Sequence, residues 1–152
     1  MKNLNEIMSE QVRWTTPEAS IEEVSRMMAE DGCGEIPVLQ SHDQRTVVGV
    51  ITDRDIVCRS LGQGRNPLDL KAKDLMTSQV VMAHNDSPVN DVIALMRDNH
   101  IRRVPIVNEK NELSGIVSEA DIFRASNEQE LSEFVHEYIK PAAQEAPITQ
   151  QS

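Results

Sequence analysis

The fold is decided by the stretch Gly49-Val50-Ile51-Thr52-Asp53-Arg54-Asp55-Ile56, because the chain repeats it as Gly115-Ile116-Val117-Ser118-Glu119-Ala120-Asp121-Ile122. Both copies contain a glycine, two apolar residues, a hydroxyl residue and, three residues later, an aspartate. This order is typical of a strand that turns directly into a capped helix. Repetition at a fixed spacing indicates a duplicated structural unit.

The repeat extends upstream of this motif at an offset of 68 residues. The run Ile36 to Leu39 falls on Val104 to Val107, and the segment Leu4 to Val12 falls on Ala72 to Val80. Beyond the strands the offset is 66, because the first copy has two extra residues in the polar stretch Gln40 to Thr46. Loops between strands tolerate such differences in length.

Each copy has the pattern of a short strand, a helix, two strands and a second helix, which is a mixed α/β (α+β) arrangement. Ser20 with Glu23 predicts a capped helix in the first copy, and Ser87-Pro88 predicts the equivalent helix start in the second. Four β-branched runs predict one hairpin in each copy: 36–39 with 47–51, and 104–107 with 113–117. A unit of about 55 residues leaves one sheet face uncovered, so we expect the copies to pack around a pseudo-two-fold axis.

The residues after the second copy have a different pattern. Leu131, Phe134, Val135 and Tyr138 recur at helical spacing, which predicts an amphipathic helix, whereas the residues after Lys140 have no apolar period. We therefore divide the chain into repeat 1 (1–66), repeat 2 (67–126), a C-terminal helix (127–140) and a disordered tail (141–152).

Composition excludes several classes of function. The 152 residues include 15 Lys and Arg against 25 Asp and Glu, a net charge of -10, and only 3% are aromatic, so we expect no nucleic-acid binding. No apolar run reaches membrane-spanning length, and the two cysteines form neither a CxxC pair nor a disulfide framework, which favours a cytoplasmic protein. No residue cluster has metal-ligand or catalytic spacing, so we expect neither a metal site nor an enzyme.

The duplicated motif, the Ile-Pro-Val and Val-Pro-Ile strands, and the Ile-Met-Ser and Leu-Met-Thr openings resemble the tandem CBS-domain family, or Bateman module, over residues 4–126. The resemblance implies two β-α-β-β-α repeats whose cleft binds an adenosine ligand. That ligand is AMP, ADP or ATP, with NAD or S-adenosylmethionine as further options. It also implies regulation of another, unidentified protein. A ligand-free dimerisation adaptor is the alternative.

The resemblance assigns Asp55 and Asp121 to the ribose, and Thr52 and Ser118 to the sugar or the α-phosphate. A carboxylate at a strand-to-helix turn is also the geometry with which dinucleotide-binding folds hold ribose hydroxyls. The same four residues form two capping boxes that need no ligand. Both interpretations stay open at this point.

A phosphate site requires nearby cations, and in a protein of net charge -10 these must lie at specific positions beside the site. The candidates are Arg102 and Arg103, directly before the Val-Pro-Ile strand of the second copy. Arg54 inside the first motif is a further candidate. The first copy has Gly34-Glu35 at the positions of the two arginines, so the copies are not equivalent. The alternative for these arginines is a solvated surface.

Five further residues are candidates for the cleft. Ile36, Ile101 and Val104 have the apolar character that an adenine slot needs, with ordinary core as the alternative. The resemblance implies that Thr16 and His84, equivalent at the offset of 68, also line the cleft, with turn chemistry as the alternative.

We expect a homodimer, since CBS pairs in similar proteins commonly meet through their helices. The apolar helix residues exceed what one small module is expected to cover. The candidates for this interface are Ile21, Met28, Val92 and Met96.

Overall fold

Residues 2–141 of the computed structural model form two copies of one α/β unit followed by a helix. Pro141 is therefore the one residue of the predicted tail that lies within the described part of the chain. In chain order the helices and strands are α1 (Leu4–Ile7), α2 (Ile21–Asp31), β1 (Glu35–Leu39), β2 (Val47–Thr52), α3 (Asp53–Arg59), α4 (Ala72–Leu75), β3 (Ala83–His84), α5 (Val89–Asn99), β4 (Arg103–Val107), β5 (Leu113–Ser118), α6 (Glu119–Ala125) and α7 (Glu128–Tyr138).

The two predicted hairpins are confirmed. Strands β1 and β2 pair antiparallel, as do β4 and β5, and each pair has a register shift at the equivalent place. In repeat 2 the short strand β3 adds to β4 in parallel. In repeat 1 its counterpart is only a single parallel bridge between Thr15 and Val38, so the predicted first strand of that copy is not formed as a strand.

The helix starts follow the sequence with small differences. Ser20 caps α2 by accepting a hydrogen bond from the Glu23 amide at 3.1 Å. Helix α5 begins at Val89 with Pro88 as its N-cap, one residue later than expected. The Ser87 hydroxyl accepts instead from the His84 amide at 3.0 Å, because it closes the turn that follows β3.

The opening segment of each repeat packs on the other repeat. Leu4 of α1 is fully buried in the core of repeat 2, where it lies among side chains of α5 and β4. Ala72 and Leu75 of α4 are fully buried in the core of repeat 1, beside Ile21 and Val24 of α2. Helices α1 and α4 therefore cover the apolar surface that one small unit leaves open.

Backbone hydrogen bonds also join each opening segment to the opposite repeat. Ser9 bonds to Ile116 of β5 in both directions, and Thr77 bonds in the same way to Val50 of β2, at 2.8 to 3.0 Å. Each opening segment thus lies against the strand of the opposite repeat that carries the duplicated motif.

The motif glycines allow this close approach. A Cβ on Gly115 would lie 2.7 Å from Met8 Sδ and 2.8 Å from the Ser9 carbonyl oxygen. A Cβ on Gly49 would lie 2.7 Å from Met76 Sδ. The glycine in each motif and the methionine in the opposite opening are therefore complementary partners.

A third apolar cluster joins the two hairpins. Leu39 and Val47 of repeat 1 pack with Val107 and Leu113 of repeat 2, and all four are at most 7% exposed. The hairpin ends also exchange backbone hydrogen bonds, since the Val47 amide donates to the Asn111 carbonyl at 3.0 Å. The two hairpins are therefore in direct contact at the junction of the repeats, as the pseudo-two-fold arrangement predicts.

The residues expected at a dimer interface are not on the surface. Ile21, Met28, Val92 and Met96 are each at most 8% exposed and lie in the two cores of the chain itself. This assignment was wrong because α1 and α4 cover the helix faces that appear unsatisfied when each repeat is considered alone.

Helix α7 packs on repeat 2 of its own chain. Phe134 is 2% exposed and lies against Phe123 of α6, with ring centroids 4.6 Å apart. The Arg97 guanidinium of α5 bonds to Glu137 of α7 at 2.5 Å. The apolar stripe predicted for this helix is therefore partly buried within the chain.

Candidate functional site

A first cleft lies where the motif of repeat 1 faces the start of β4. It has a volume of about 570 Å³, which is within the range of small-molecule sites. Its repeat 1 wall consists of Gly34, Glu35, Val50 and residues 52–55, and its repeat 2 wall includes residues 100–103. Six of the candidate residues line this cleft together: Thr52, Arg54, Asp55, Ile101, Arg102 and Arg103.

A second cleft of about 630 Å³ occupies the pseudo-symmetric position. It is lined by residues 10–14 of the N-terminal segment, by Cys33 and by Ile116, which correspond by the repeat offsets to residues 78–82, Ile101 and Val50. Ser118 and Asp121 are absent from this lining. The two clefts are therefore not equivalent, and only the first contains a hydroxyl-to-aspartate motif.

Both motif residues of the first cleft are bound by a capping box. The Thr52 amide donates to Asp55 Oδ2 at 3.0 Å, and the Asp55 amide donates to Thr52 Oγ1 at 3.0 Å. Asp55 Oδ1 lies 3.6 Å from the Arg59 Nε, a loose ion pair. Since a carboxylate oxygen accepts about two hydrogen bonds, this oxygen retains capacity for a ligand.

The second motif is more fully occupied. Asp121 Oδ2 accepts from the Ser118 amide at 2.9 Å and from its hydroxyl at 2.7 Å. Asp121 Oδ1 lies 3.1 Å from an Arg124 guanidinium nitrogen. The capping role of Ser118 and Asp121 is thus satisfied within the chain, and their assignment to ribose stays a prediction.

The arginines of the first cleft are accessible. The Arg102 side chain is 84% exposed, and its nearest carboxylate contact is Glu119 at 3.9 Å. Within residues 2–141 no carboxylate oxygen lies within 4.0 Å of a guanidinium nitrogen of Arg54 or Arg103. All three guanidinium groups are therefore available to an anion.

Besides Ser118 and Asp121, four predicted site residues lie outside both clefts. Ile36 and Val104 are fully buried in the cores of repeats 1 and 2, because their strand positions turn these side chains to the inner face. Thr16 lines neither cleft. His84 lines a separate depression of about 430 Å³ beside the hairpin loop of repeat 2.

Two residues that sequence reasoning did not assign belong to the first cleft. Glu35 lines both clefts, and the pKa of its carboxyl is raised to about 7, because burial and the nearby Asp55 together outweigh the opposing effect of Arg103. His100 ends α5 in the left-handed conformation (φ 53°), where repeat 1 has Gly32. The repeat offset carries the signal for Glu35, since it places this carboxylate at the position of Arg103.

Between residues 2 and 141, no three His, Cys, Asp or Glu side chains come together as a metal ion requires. Over the same residues, no helix combines the length and apolar character of a membrane span.

The family model described as the CBS domain matches residues 4–62 and 72–128, which lie on the two structural repeats. The chain belongs to the CBS-domain family. The expected mixed α/β fold of two CBS repeats is therefore confirmed.

Relatives of this CBS-domain protein span most of its length. Protein MK0525 of Methanopyrus kandleri is 33% identical over 141 residues, which cover 89% of this chain and 71% of the relative. The crystal structure of Hypoxic Response Protein I with two coordinated zinc ions has a TM-score of 0.75 at 27% identity, covering 83% of this chain and 100% of the other. The CBS domain pair of protein MJ0100, in complex with 5'-methylthioadenosine and S-adenosyl-L-methionine, has a TM-score of 0.71 at 27% identity, covering 82% and 94%.

Proposed function

We propose that this CBS-domain pair is a non-catalytic regulatory module that binds an adenosine nucleotide, AMP, ADP or ATP, in the first cleft. The observation that carries the proposal is the meeting of Thr52 and Asp55 of repeat 1 with Arg102 and Arg103 of repeat 2 around one cavity. The MJ0100 domain pair, whose structure contains two adenosyl compounds, supports the same class of ligand.

Each group has a distinct task in this proposal. Asp55 Oδ1 accepts hydrogen bonds from ribose hydroxyls, while Asp55 Oδ2 remains bonded to the Thr52 amide. The guanidinium groups of Arg102, Arg103 and Arg54 bind phosphate oxygens, for which their planar donors are well suited. Ile101, half-buried at the edge of the cleft, provides apolar contact for the adenine.

A nucleotide bound in this way contacts both repeats, because the ribose lies on Asp55 of repeat 1 and the phosphates reach Arg102 and Arg103 of repeat 2. The bound nucleotide stabilises the arrangement of the two repeats, or of the two protomers of a homodimer, in which these groups lie close together. Regulation then requires a partner protein that prefers one of the two states.

Isothermal titration calorimetry with AMP, ADP, ATP, NAD and S-adenosylmethionine tests the proposal, and the duplication provides a matched control. Asp55→Asn and Asp121→Asn each weaken one capping box, but only Asp55→Asn removes the ribose acceptor of the first cleft. We expect Asp55→Asn to weaken nucleotide binding roughly tenfold or more, since a hydrogen bond to a charged group contributes about 1.5–3 kcal/mol. We expect Asp121→Asn to change the affinity by less than about twofold, which is the range of an uninvolved surface change.

Two results would contradict this function. If no compound of the panel binds, the chain is better described as a ligand-free dimerisation adaptor. If a nucleotide binds equally well to both variants, Asp55 has only its capping role and the ribose is held elsewhere.

A further inference from the structure

Glu35 and Arg103 occupy equivalent places at the junction of the repeats. Glu35 begins β1 opposite Thr52, and Arg103 begins β4 opposite Ser118. Each of the two side chains lines both clefts. One carboxyl and one guanidinium group are thus shared between two cavities.

The charges around Glu35 are closely balanced. In the first cleft the other titratable or charged groups that face it are Asp53, Arg54, Asp55, His100, Arg102 and Arg103. In the second cleft they are Glu10, Arg13, Asp31, Cys33, Arg45 and Arg103. With Glu35 ionised, three carboxylates match three guanidinium groups in the first cleft, so a single proton on Glu35 leaves that cleft with one net positive charge.

We propose that Glu35 is a specificity-determining residue of the first cleft, which opposes ligand phosphates as a carboxylate and admits them when it is protonated. This inference rests on the proposed function, because it concerns the charge of the ligand bound in the same cleft. Without Glu35, the three guanidinium groups would outnumber the two remaining carboxylates, and the cleft would be a constant anion site. The Glu35 carboxyl makes the preference for anions depend on a proton.

The direction of the effect follows from the surroundings of Glu35. Burial and the neighbouring Asp55 raise the pKa of Glu35, to about 7, although Arg103 acts against the rise. A phosphate in the cleft adds negative charge and raises this pKa further, so binding of an anion and uptake of a proton favour each other. Anion affinity therefore falls as the pH rises from 6 to 8.

The size of the effect is bounded by the fraction of protonated Glu35. If an anion binds only the protonated form, the apparent dissociation constant rises roughly tenfold between pH 6 and pH 8. Adenosine carries no phosphate, and its affinity stays constant over the same range. The ratio of ATP affinity to adenosine affinity is thus the quantity that reports on Glu35.

Calorimetric titrations with ATP, adenosine and inorganic pyrophosphate at pH 6 and pH 8 measure this ratio. Glu35→Gln keeps the shape of the side chain but cannot ionise. We therefore expect this variant to bind ATP tightly at both pH values, without the pH dependence that Glu35 causes in the wild type. The phosphates of ATP change their own protonation equally in both proteins, and the difference between the proteins removes that contribution. His100→Asn is the second control, because it removes the ionisable side chain that the C-terminal end of α5 contributes to the cleft, and asparagine tolerates the left-handed backbone.

A ligand-free measurement accompanies the titrations: the carbon-13 chemical shift of the Glu35 carboxyl, followed by NMR from pH 4 to pH 9. A midpoint well above 4.5 that rises further in Arg103→Ala supports the inference. A midpoint near 4.5, an equal pH dependence of ATP binding in the wild type and Glu35→Gln, or no binding of any anion at pH 6 overturns it.

The two proposals fail in distinguishable ways. If neither adenosine nor ATP binds but pyrophosphate binds with a pH dependence that Glu35→Gln removes, the adenosine ligand is wrong and the role of Glu35 stands. If the adenosine compounds bind with an affinity ratio that Glu35→Gln leaves unchanged, the proposed function stands and the role of Glu35 is lost.

Discussion

Replacing Gly115 with alanine tests whether the opening segment of repeat 1 packs on strand β5 of repeat 2. The added Cβ would lie 2.7 Å from Met8 Sδ and 2.8 Å from the Ser9 carbonyl oxygen, both closer than van der Waals contact. The methionine can change rotamer, but the Ser9 backbone is held by hydrogen bonds to Ile116 at 2.9 and 3.0 Å. We therefore expect a loss of about 2–3 kcal/mol in the free energy of unfolding, at the upper end of overpacking effects.

Gly49→Ala and Gly62→Ala provide a graded comparison. At Gly49 the short contact is with the flexible Met76 side chain and the nearest backbone oxygen is at 3.2 Å, so we expect a loss of about 1 kcal/mol. At Gly62 the nearest atom is at 3.4 Å, which is an ordinary contact, and we expect a change within about 0.5 kcal/mol.

Urea denaturation followed by circular dichroism measures all three variants. Adding Met8→Ala to Gly115→Ala should recover part of the loss, because the two changes act on one contact and are not additive. If Gly115→Ala unfolds with wild-type stability, or if Met8→Ala adds its full cost to it, the N-terminal segment does not lie on β5 in solution.

Three further perturbations test other parts of the structure. The Glu35 carboxyl has a folded-state pKa of about 7, above the ordinary 4.5, so the wild type is expected to lose stability as the pH rises from 5 to 8, by at most about 3 kcal/mol. Glu35→Gln should lack this loss in urea titrations at the two pH values, and parallel curves for the two proteins would contradict the shift. Phe134→Ala should cost about 3–5 kcal/mol, whereas the 45% exposed Val135→Ala serves as its control, and equal thermal stability of the two would show that α7 is not docked. The double change Arg102→Ala with Arg103→Ala should weaken ATP binding and reduce its salt dependence while leaving adenosine binding unchanged. If calorimetry at two salt concentrations shows the same ATP affinities for the wild type and the double variant, both arginines are solvated surface residues without a role in binding.

Much of the candidate site follows from residues close together in the chain. The hydrogen bonds between Thr52 and Asp55, and between Ser118 and Asp121, close within three residues, so each capping box is readable from its motif. The placement of the arginines beside the first motif rather than the second does not follow from the sequence, because it depends on how the two repeats pack.

The sequence did not place Ile36 and Val104 in the cores, nor Glu35 in a cleft. Apolar character and alternation show that a strand has two faces, but they do not show which face meets the other repeat. Ile36 and Val104 lie in the cores for this reason, whereas Ile101, the third residue assigned to the adenine wall, lines the first cleft. The inequivalence of the two clefts has the same origin, because it depends on which side chains from distant segments share a cavity.

Sequence by itself determined the duplication, the hairpins, the capped helices and membership of the CBS-domain family, because these depend on local patterns and their repetition. Only the tertiary structure decided that Leu4 is buried in repeat 2 and Leu75 in repeat 1, that the helix faces are covered within the chain, and that Glu35 and Arg103 are shared by both clefts. These features arise from contacts between residues far apart in the chain, where many pairings satisfy the same apolar pattern and only packing in three dimensions selects one.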